Sequence, residues 1–259
     1  MSTKEPNIQN TPETPEEAAP EEIQREFPEG YVVNPEKNET VTVDGAVYRR
    51  LCIKTHVITD KDNIVDVVEK YAAPLAQPGD IIFITEKAVA CTQNRAIPME
   101  DIHPRPLARF LSKFVLKTPY GIGLGIPETM EMAIQECGTL RILFAAAVSA
   151  VGKLFHKRGW FYDIAGYKAR SIDGPCHFTL PPYNHYVVLG PDKPDETAAS
   201  ITQRIGVPVA ITDINDIEGQ ILGTSDKKMD RDLLVKILKD NPLGQCSEQT
   251  PMGIIRKAS

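Results

Sequence analysis

The sequence predicts an α+β fold, and three observations carry that reading. Short β-branched runs, among them residues 80–85 and 207–212, have the length and composition of buried strands. Stretches with helical spacing of apolar residues, such as 62–76 and 195–205, stand between them. The two kinds of segment do not follow the strict strand–helix–strand rhythm of a parallel α/β protein, and no internal repeat is present.

Taken in order, residues 1–40 are dominated by Glu, Pro, Thr, Asn and Gln. Such a composition cannot bury enough apolar surface to offset the entropy of ordering, so a disordered acidic tail is expected, followed by a folded domain over 41–259. The 47–58 stretch reads as a strand or a pair of short strands. Over 62–76, Ile64, Val65, Val68, Tyr71, Ala72 and Leu75 share one helical face, and Pro78-Gly79 ends it. Residues 80–85 form a buried strand that runs into Glu86-Lys87. Pro104 and Pro106 suit the first turn of a helix carrying Leu107, Phe110, Leu111 and Phe114, and Pro127 opens another that Gly138 closes. The 141–155 stretch is apolar almost all the way round; a helix buried on most sides is expected, with a strand through its first half as the alternative. Residues 186–189 and 207–212 read as strands, 195–205 and 229–239 as amphipathic helices. The segments 179–184, 241–245 and 248–253 are marked by Pro or Gly and suit either substrate loops or scaffolding.

The formal net charge of −6 is concentrated at one end. Ten Glu against three Lys or Arg in residues 1–40 give −7, leaving +1 for the rest of the 259 residues. A nearly neutral body offers no electrostatic basis for binding nucleic acid or an anionic membrane, so neither partner is expected. The five cysteines (Cys52, Cys91, Cys137, Cys176 and Cys246) are far apart and include no Cys-x-x-Cys pair, which argues against a disulfide framework and a structural zinc site. The first residues lack the basic and apolar regions of a signal peptide, and the longest apolar run, 142–151, is too short to cross a bilayer. A cytoplasmic setting is the expectation.

Two acidic stretches that follow apolar runs are the leading candidates for chemistry. Asp173 follows Ile172 and precedes Gly174-Pro175; Asp213 follows the 207–212 run and is trailed by Asn215 and Asp216. Carboxylate and amide oxygens are the hard ligands that Mg²⁺ or Mn²⁺ prefers, and such a metal neutralises phosphate charge in phosphoryl transfer. Asp, Asn and Gly beyond a strand are also ordinary turn chemistry, and spacing alone leaves both readings open. Lys87 and Arg95 flank the exit of the 80–85 strand, where cations can steady a phosphate or simply be solvated. Gly121, Gly123 and Gly125, ahead of Pro127, let backbone amides approach a phosphate at a helix start. No Gly-x-x-x-x-Gly-Lys is present and no strand leads in, so this is equally a structural loop. Cys176-His177 suggests a nucleophile and base, yet neighbours on an extended chain point to opposite faces, and the histidines lack zinc-binding spacing.

On these residues the chain resembles the coenzyme F-420 gamma-glutamyl ligases, which add glutamate to a deazaflavin cofactor precursor. Residues 79–87, Gly-Asp-Ile-Ile-Phe-Ile-Thr-Glu-Lys, are similar to that family's strand ending in Thr-Gln-Lys. Gln93-Asn94-Arg95 stands where the family typically has Glu-Gly-Arg. Ile172-Asp173 and the 207–213 stretch match the segments that bear the family's two metal aspartates. The resemblance covers residues 47–223 and implies a mixed sheet with flanking helices. It also implies a homodimeric ligase that uses GTP as co-substrate with Mg²⁺ or Mn²⁺, converting a carboxylate to an acyl phosphate that the amine of glutamate attacks. In that scheme Asp173 and Asp213 hold the metal, Asn215 and Asp216 are further candidate ligands, and Lys87 and Arg95 offset phosphate charge. After its second aspartate the family runs Gly-Arg and then another Arg, whereas 214–219 here reads Ile-Asn-Asp-Ile-Glu-Gly, with no arginine before Arg231. That loss of cations opens the alternative of a paralogue that binds a nucleotide or cofactor without turnover. A metal-dependent hydrolase is a third reading.

Overall fold

The computed structural model describes residues 30–115, 122–155, 159–177, 179–215, 219–244 and 247–258. Its regular elements, in chain order, are β1 (Thr40–Val43), β2 (Ala46–Ile53), α1 (Ile64–Tyr71), β3 (Ile81–Thr85), α2 (Glu86–Thr92), β4 (Ala96–Pro98), α3 (Pro106–Leu111), α4 (Pro127–Cys137) and α5 (Thr139–Leu154). They continue with α6 (Trp160–Ala165), α7 (Tyr167–Arg170), β5 (Tyr186–Val188), α8 (Pro194–Ile205), β6 (Val209–Ile214), β7 (Gly219–Thr224), α9 (Arg231–Leu238) and β8 (Met252–Lys257). Six strands form one sheet in the order β1-β2-β8-β3-β6-β7, and β4 and β5 pair separately. Only β3 and β6 run parallel within the large sheet; every other pairing there is antiparallel. The architecture is α+β, a mixed sheet with flanking helices.

Alternation along the central strands builds a core on each face. Ile82, Ile84, Val209, Ile211, Met252 and Ile254 pack with α1, α2 and α8, while Phe83, Ala210 and Ile255 pack on the other side with α9. A third core joins α3 to α7 with the small β4–β5 sheet. Asn63 caps α1, its side chain accepting from the Val65 amide at 2.9 Å, and Gly138 at φ 86° ends α4.

Three expectations change on this frame. The 248–253 segment, for which substrate loop and scaffolding both stood open, leads into and begins β8, which lies between β2 and β3 at the centre of the sheet. Its strand character was hidden by Gly253, whose hydrogen makes room for the Phe83 ring: a Cβ there would lie 2.6 Å from Phe83 Cζ. The expected boundary at residue 40 falls inside the sheet edge, because Tyr31 and Asn34 are buried and Asn34 donates to Pro242 O (2.9 Å) and Thr250 Oγ1 (2.8 Å). The rest of the expected tail, residues 1–29, lies outside the described residues. Finally, α5 is a helix but not one buried on most sides: Ile142 and Ala145 pack inward, while Leu140 is 84% and Phe144 60% exposed. Among the described residues no single helix is long and apolar enough to cross a membrane; α4 and α5 meet that criterion only together, and the chain bends by 116° between them.

One buried ion pair ties the carboxyl-terminal strand to the start of β3. Arg256 Nε and Nη2 donate to Asp80 Oδ1 and Oδ2 at 2.9 and 2.7 Å, and Asp80 is 2% exposed. Removing the arginine leaves an uncompensated buried carboxylate, so Arg256→Ala is expected to cost about 3–5 kcal/mol. Arg204→Ala, which breaks an exposed pair with Glu69, is expected to cost about 1 kcal/mol or less. Chemical denaturation of the two variants reads the difference; equal losses would contradict it.

Candidate functional site

The parallel pair sets the site. Thr85 of β3 lies beside Thr212 of β6, and Thr212 Oγ1 donates to Ile84 O at 3.2 Å. Beyond Thr85 the chain enters α2 without a loop, and Thr85 itself caps the helix, its Oγ1 accepting from the Ala88 amide at 3.4 Å. Glu86 and Lys87 are therefore fixed at the carboxyl end of β3. Asp213 follows Thr212 inside β6, paired with Gln220, where the β6–β7 register shifts between Ile211 and Thr212. Asp173 comes from the third core, and its backbone is clamped by two hydrogen bonds with Val188 of β5, at 2.8 and 2.9 Å. Both aspartates thus sit on extended, paired backbone rather than in free turns.

These residues meet. Lys87 Nζ lies 2.8 Å from Asp173 Oδ2, with the two side chains 50% and 45% exposed. Asp173 above all, then Glu86 and Asp213, hold the Lys87 ammonium above its ordinary range, although its side chain is half open to water. At that exposure the ion pair itself is worth only about 0–1 kcal/mol, because water screens it.

Glu86 is the residue the sequence reading passed over. It is 6% exposed, and its Oε2 accepts no hydrogen bond among the described residues. Burial pushes its carboxyl well above the ordinary value of 4.5, with Asp213 and Asp173 adding to the shift and Lys87 opposing it. The start of a helix favours a carboxylate by about 0.3–1 kcal/mol, whereas burying an unpaired one costs several, so burial decides. In the resemblance drawn from the sequence, Glu86 stands where the Thr-Gln-Lys pattern has glutamine. Tyr167 was also passed over. Its hydroxyl is pushed up to about 12 by burial, with Glu86 and Asp213 adding and Ser171 and Arg95 opposing.

The other candidates are placed differently. Arg95 does not reach the cluster; it donates to Glu136 of α4 at 2.6 Å and to the Gly190 carbonyl, tying that loop to the helical core. An open groove lined by Gln93, Arg95, Asp192, Lys193, Glu196 and Thr197 lies on its side, and none of the four cluster residues lines it. Gly123 (φ 49°) and Gly125 form a turn ahead of α4, with the Gly125 amide donating to Ile122 O at 2.9 Å. That turn packs on the segment bearing Asp173, since a Cβ on Gly174 would lie 3.3 Å from Ile122 Cβ and 3.2 Å from Thr129 Cγ2. Asn215 follows β6 directly. Gly121, Asp216 and Glu218 lie outside the described residues.

The oxygen donors are of the type a hard divalent cation takes, and the partnerless Glu86 oxygen fits such an ion. As they stand, no three His, Cys, Asp or Glu side chains among the described residues close on one point. The described cysteines are free thiols, and burial pushes Cys52 up to about 12 and Cys91 up to about 11, which makes both inert.

Fold and site together define an α+β protein with a carboxylate–lysine centre at the end of a parallel strand pair. A family model described as F420-0:Gamma-glutamyl ligase matches residues 52–228, and the chain belongs to that family. No curated protein matches the chain.

The raised Glu86 carboxyl fixes a pH dependence. The folded state holds this proton more tightly than the unfolded chain, so the contribution is full below about pH 4.5 and is lost as pH rises through the folded value. Glu86→Gln removes that loss. Its thermal midpoint is expected to exceed that of the parent by a margin that grows as pH rises above the ordinary glutamate value, at about 2–4 °C per kcal/mol relieved. A pH-independent difference would contradict the assignment.

Proposed function

We propose that this protein is a metal- and GTP-dependent ligase that joins a carboxylate substrate, activated as its acyl phosphate, to an amino acid such as L-glutamate. Membership of a ligase family supports the reaction class. The observation that supports the site most is the gathering of Glu86, Lys87, Asp173 and Asp213 at the ends of the parallel strands β3 and β6. Crevices at the carboxyl ends of parallel strands are where ligands of such sheets bind.

In this reading Asp173 and Asp213 hold Mg²⁺ or Mn²⁺, with Asn215 and Asp216 nearby in sequence. When bound, the cation supplies charge neutralisation for phosphate oxygens. Lys87 supplies a mobile positive charge for the transferred phosphoryl group. Arg95 acts as a positioning residue, since its guanidinium is committed to Glu136 and the Gly190 loop. The turn at Gly123 and Gly125 supports the backbone that carries Asp173. The stretch between Asp213 and Arg231 has no arginine, and this favours a second reading, a paralogue that binds nucleotide without turnover.

Incubation with GTP, Mn²⁺ and panels of acids and amino acids separates the two. Phosphate release that depends on an added acid is expected, and tight GTP binding without release would support the second reading. Acid-independent release would mark a hydrolase. Asp173→Asn and Asp213→Asn are each expected to lower the acid-dependent rate by about a hundredfold or more, the loss of several kcal/mol of charge stabilisation. Unchanged rates in both variants would defeat the assignment.

A homodimer is part of the same reading. The exposed stripe Leu140, Phe144, Ala147 and Val151 on α5 offers a second copy an apolar face with a small residue near its middle. Phe144→Glu is expected to convert the dimer to a monomer in light scattering; an unchanged mass would exclude this face.

A further inference from the structure

We infer that Lys87 is an exchangeable stand-in for the divalent cation: its ammonium occupies Asp173 in the metal-free protein, and metal binding displaces it. The inference rests on the metal reading proposed above and adds what this chain's own residues do when the ion arrives.

Three observations carry it. The Lys87–Asp173 pair is short, 2.8 Å, yet about half exposed on both sides, so the two groups can part and be rehydrated cheaply. Glu86 begins α2 directly after Thr85, and Asp213 follows Thr212, the β6 partner of Thr85, so both acids stand at the strand end from which Lys87 projects. Finally, Glu86 is 94% buried beside both aspartates, with Oε2 accepting no hydrogen bond among the described residues. A buried acceptor in that state is what an incoming cation would satisfy.

The exchange accounts for the absence of a ready three-acid cage among the described residues. With Lys87 on Asp173, the carboxylates have no reason to draw together. Asp173 and Asp213 would hold Mg²⁺ or Mn²⁺, and Glu86 Oε2, on releasing its proton to water, would supply a further oxygen. The lysine, on a flexible four-carbon stem, turns outward as a free ammonium. Nothing in the exchange is consumed; one cation replaces another on the same carboxylate.

Mn²⁺ binding to the full-length protein without nucleotide, followed by the electron paramagnetic resonance of free Mn²⁺, tests this. Lys87→Met keeps the stem and removes the competing charge, and it is expected to bind Mn²⁺ about tenfold more tightly. Glu86→Gln is expected to bind about tenfold more weakly, and Asp173→Asn about a hundredfold more weakly. A second readout needs no variant. Mn²⁺ is expected to raise the rate at which Lys87 is acylated by acetic anhydride, measured by peptide mass spectrometry, by several-fold. If Asp173→Asn abolishes binding while Lys87→Met leaves it unchanged and acylation is unaffected, the exchange is overturned and the metal reading stands. If the parent protein binds no Mn²⁺ with or without GTP, both fall.

Discussion

The site depends on one electrostatic constraint, the burial of the Glu86 carboxyl where Asp173 and Asp213 act on it, with Lys87 to balance them. Glu86 cannot withdraw from this position. It is the first residue of a helix that starts where β3 stops, and it is held by the pairing of β3 with β6 on one side and β8 on the other. Like charges held close in a poorly hydrated place raise one another's proton affinity, and a nearby cation lowers it. Lys87 supplies that cation from the next position in the chain, which makes the acid and its counter-charge a single unit of sequence.

The sheet explains why three distant segments deliver their acids to one place. Among the described residues β3 and β6 are the only parallel neighbours in the large sheet, so their carboxyl ends emerge on the same edge. Every other strand of that sheet runs antiparallel to its neighbours and contributes framework. The helical core then brings Asp173 across from β5, whose paired backbone leaves little freedom to that residue. The arrangement places rigid main chain under each acid and flexible side chain only at Lys87, a division suited to a site that must bind and release a charged group.

Much of this was legible in the sequence, and for physical reasons. The apolar runs at 80–85 and 207–212 were read as buried strands, though their parallel pairing was not, and Asp173 and Asp213 were marked as a joint centre. The approach of Lys87 to Asp173 could not be read, because a distance across 86 positions is set by tertiary packing. Glu86 escaped notice because a glutamate just past a strand is ordinarily exposed; its cost appears only once the surrounding core closes over it. β8 escaped because Gly253 looks like a loop residue until Phe83 is seen to need its space. The all-round apolar pattern of α5 failed differently, since such a helix can be either buried or left with an open face, and periodicity does not distinguish them.

The central claim is that Glu86, Asp173 and Asp213 share one electrostatic environment, and carbon-detected NMR titration of the Glu86 side-chain carboxyl tests it directly. In the parent protein this carboxyl is expected to titrate well above the ordinary glutamate value, and in Asp213→Asn it is expected to move down toward that value. A Glu86 titration that ignores the Asp213 substitution would contradict the account.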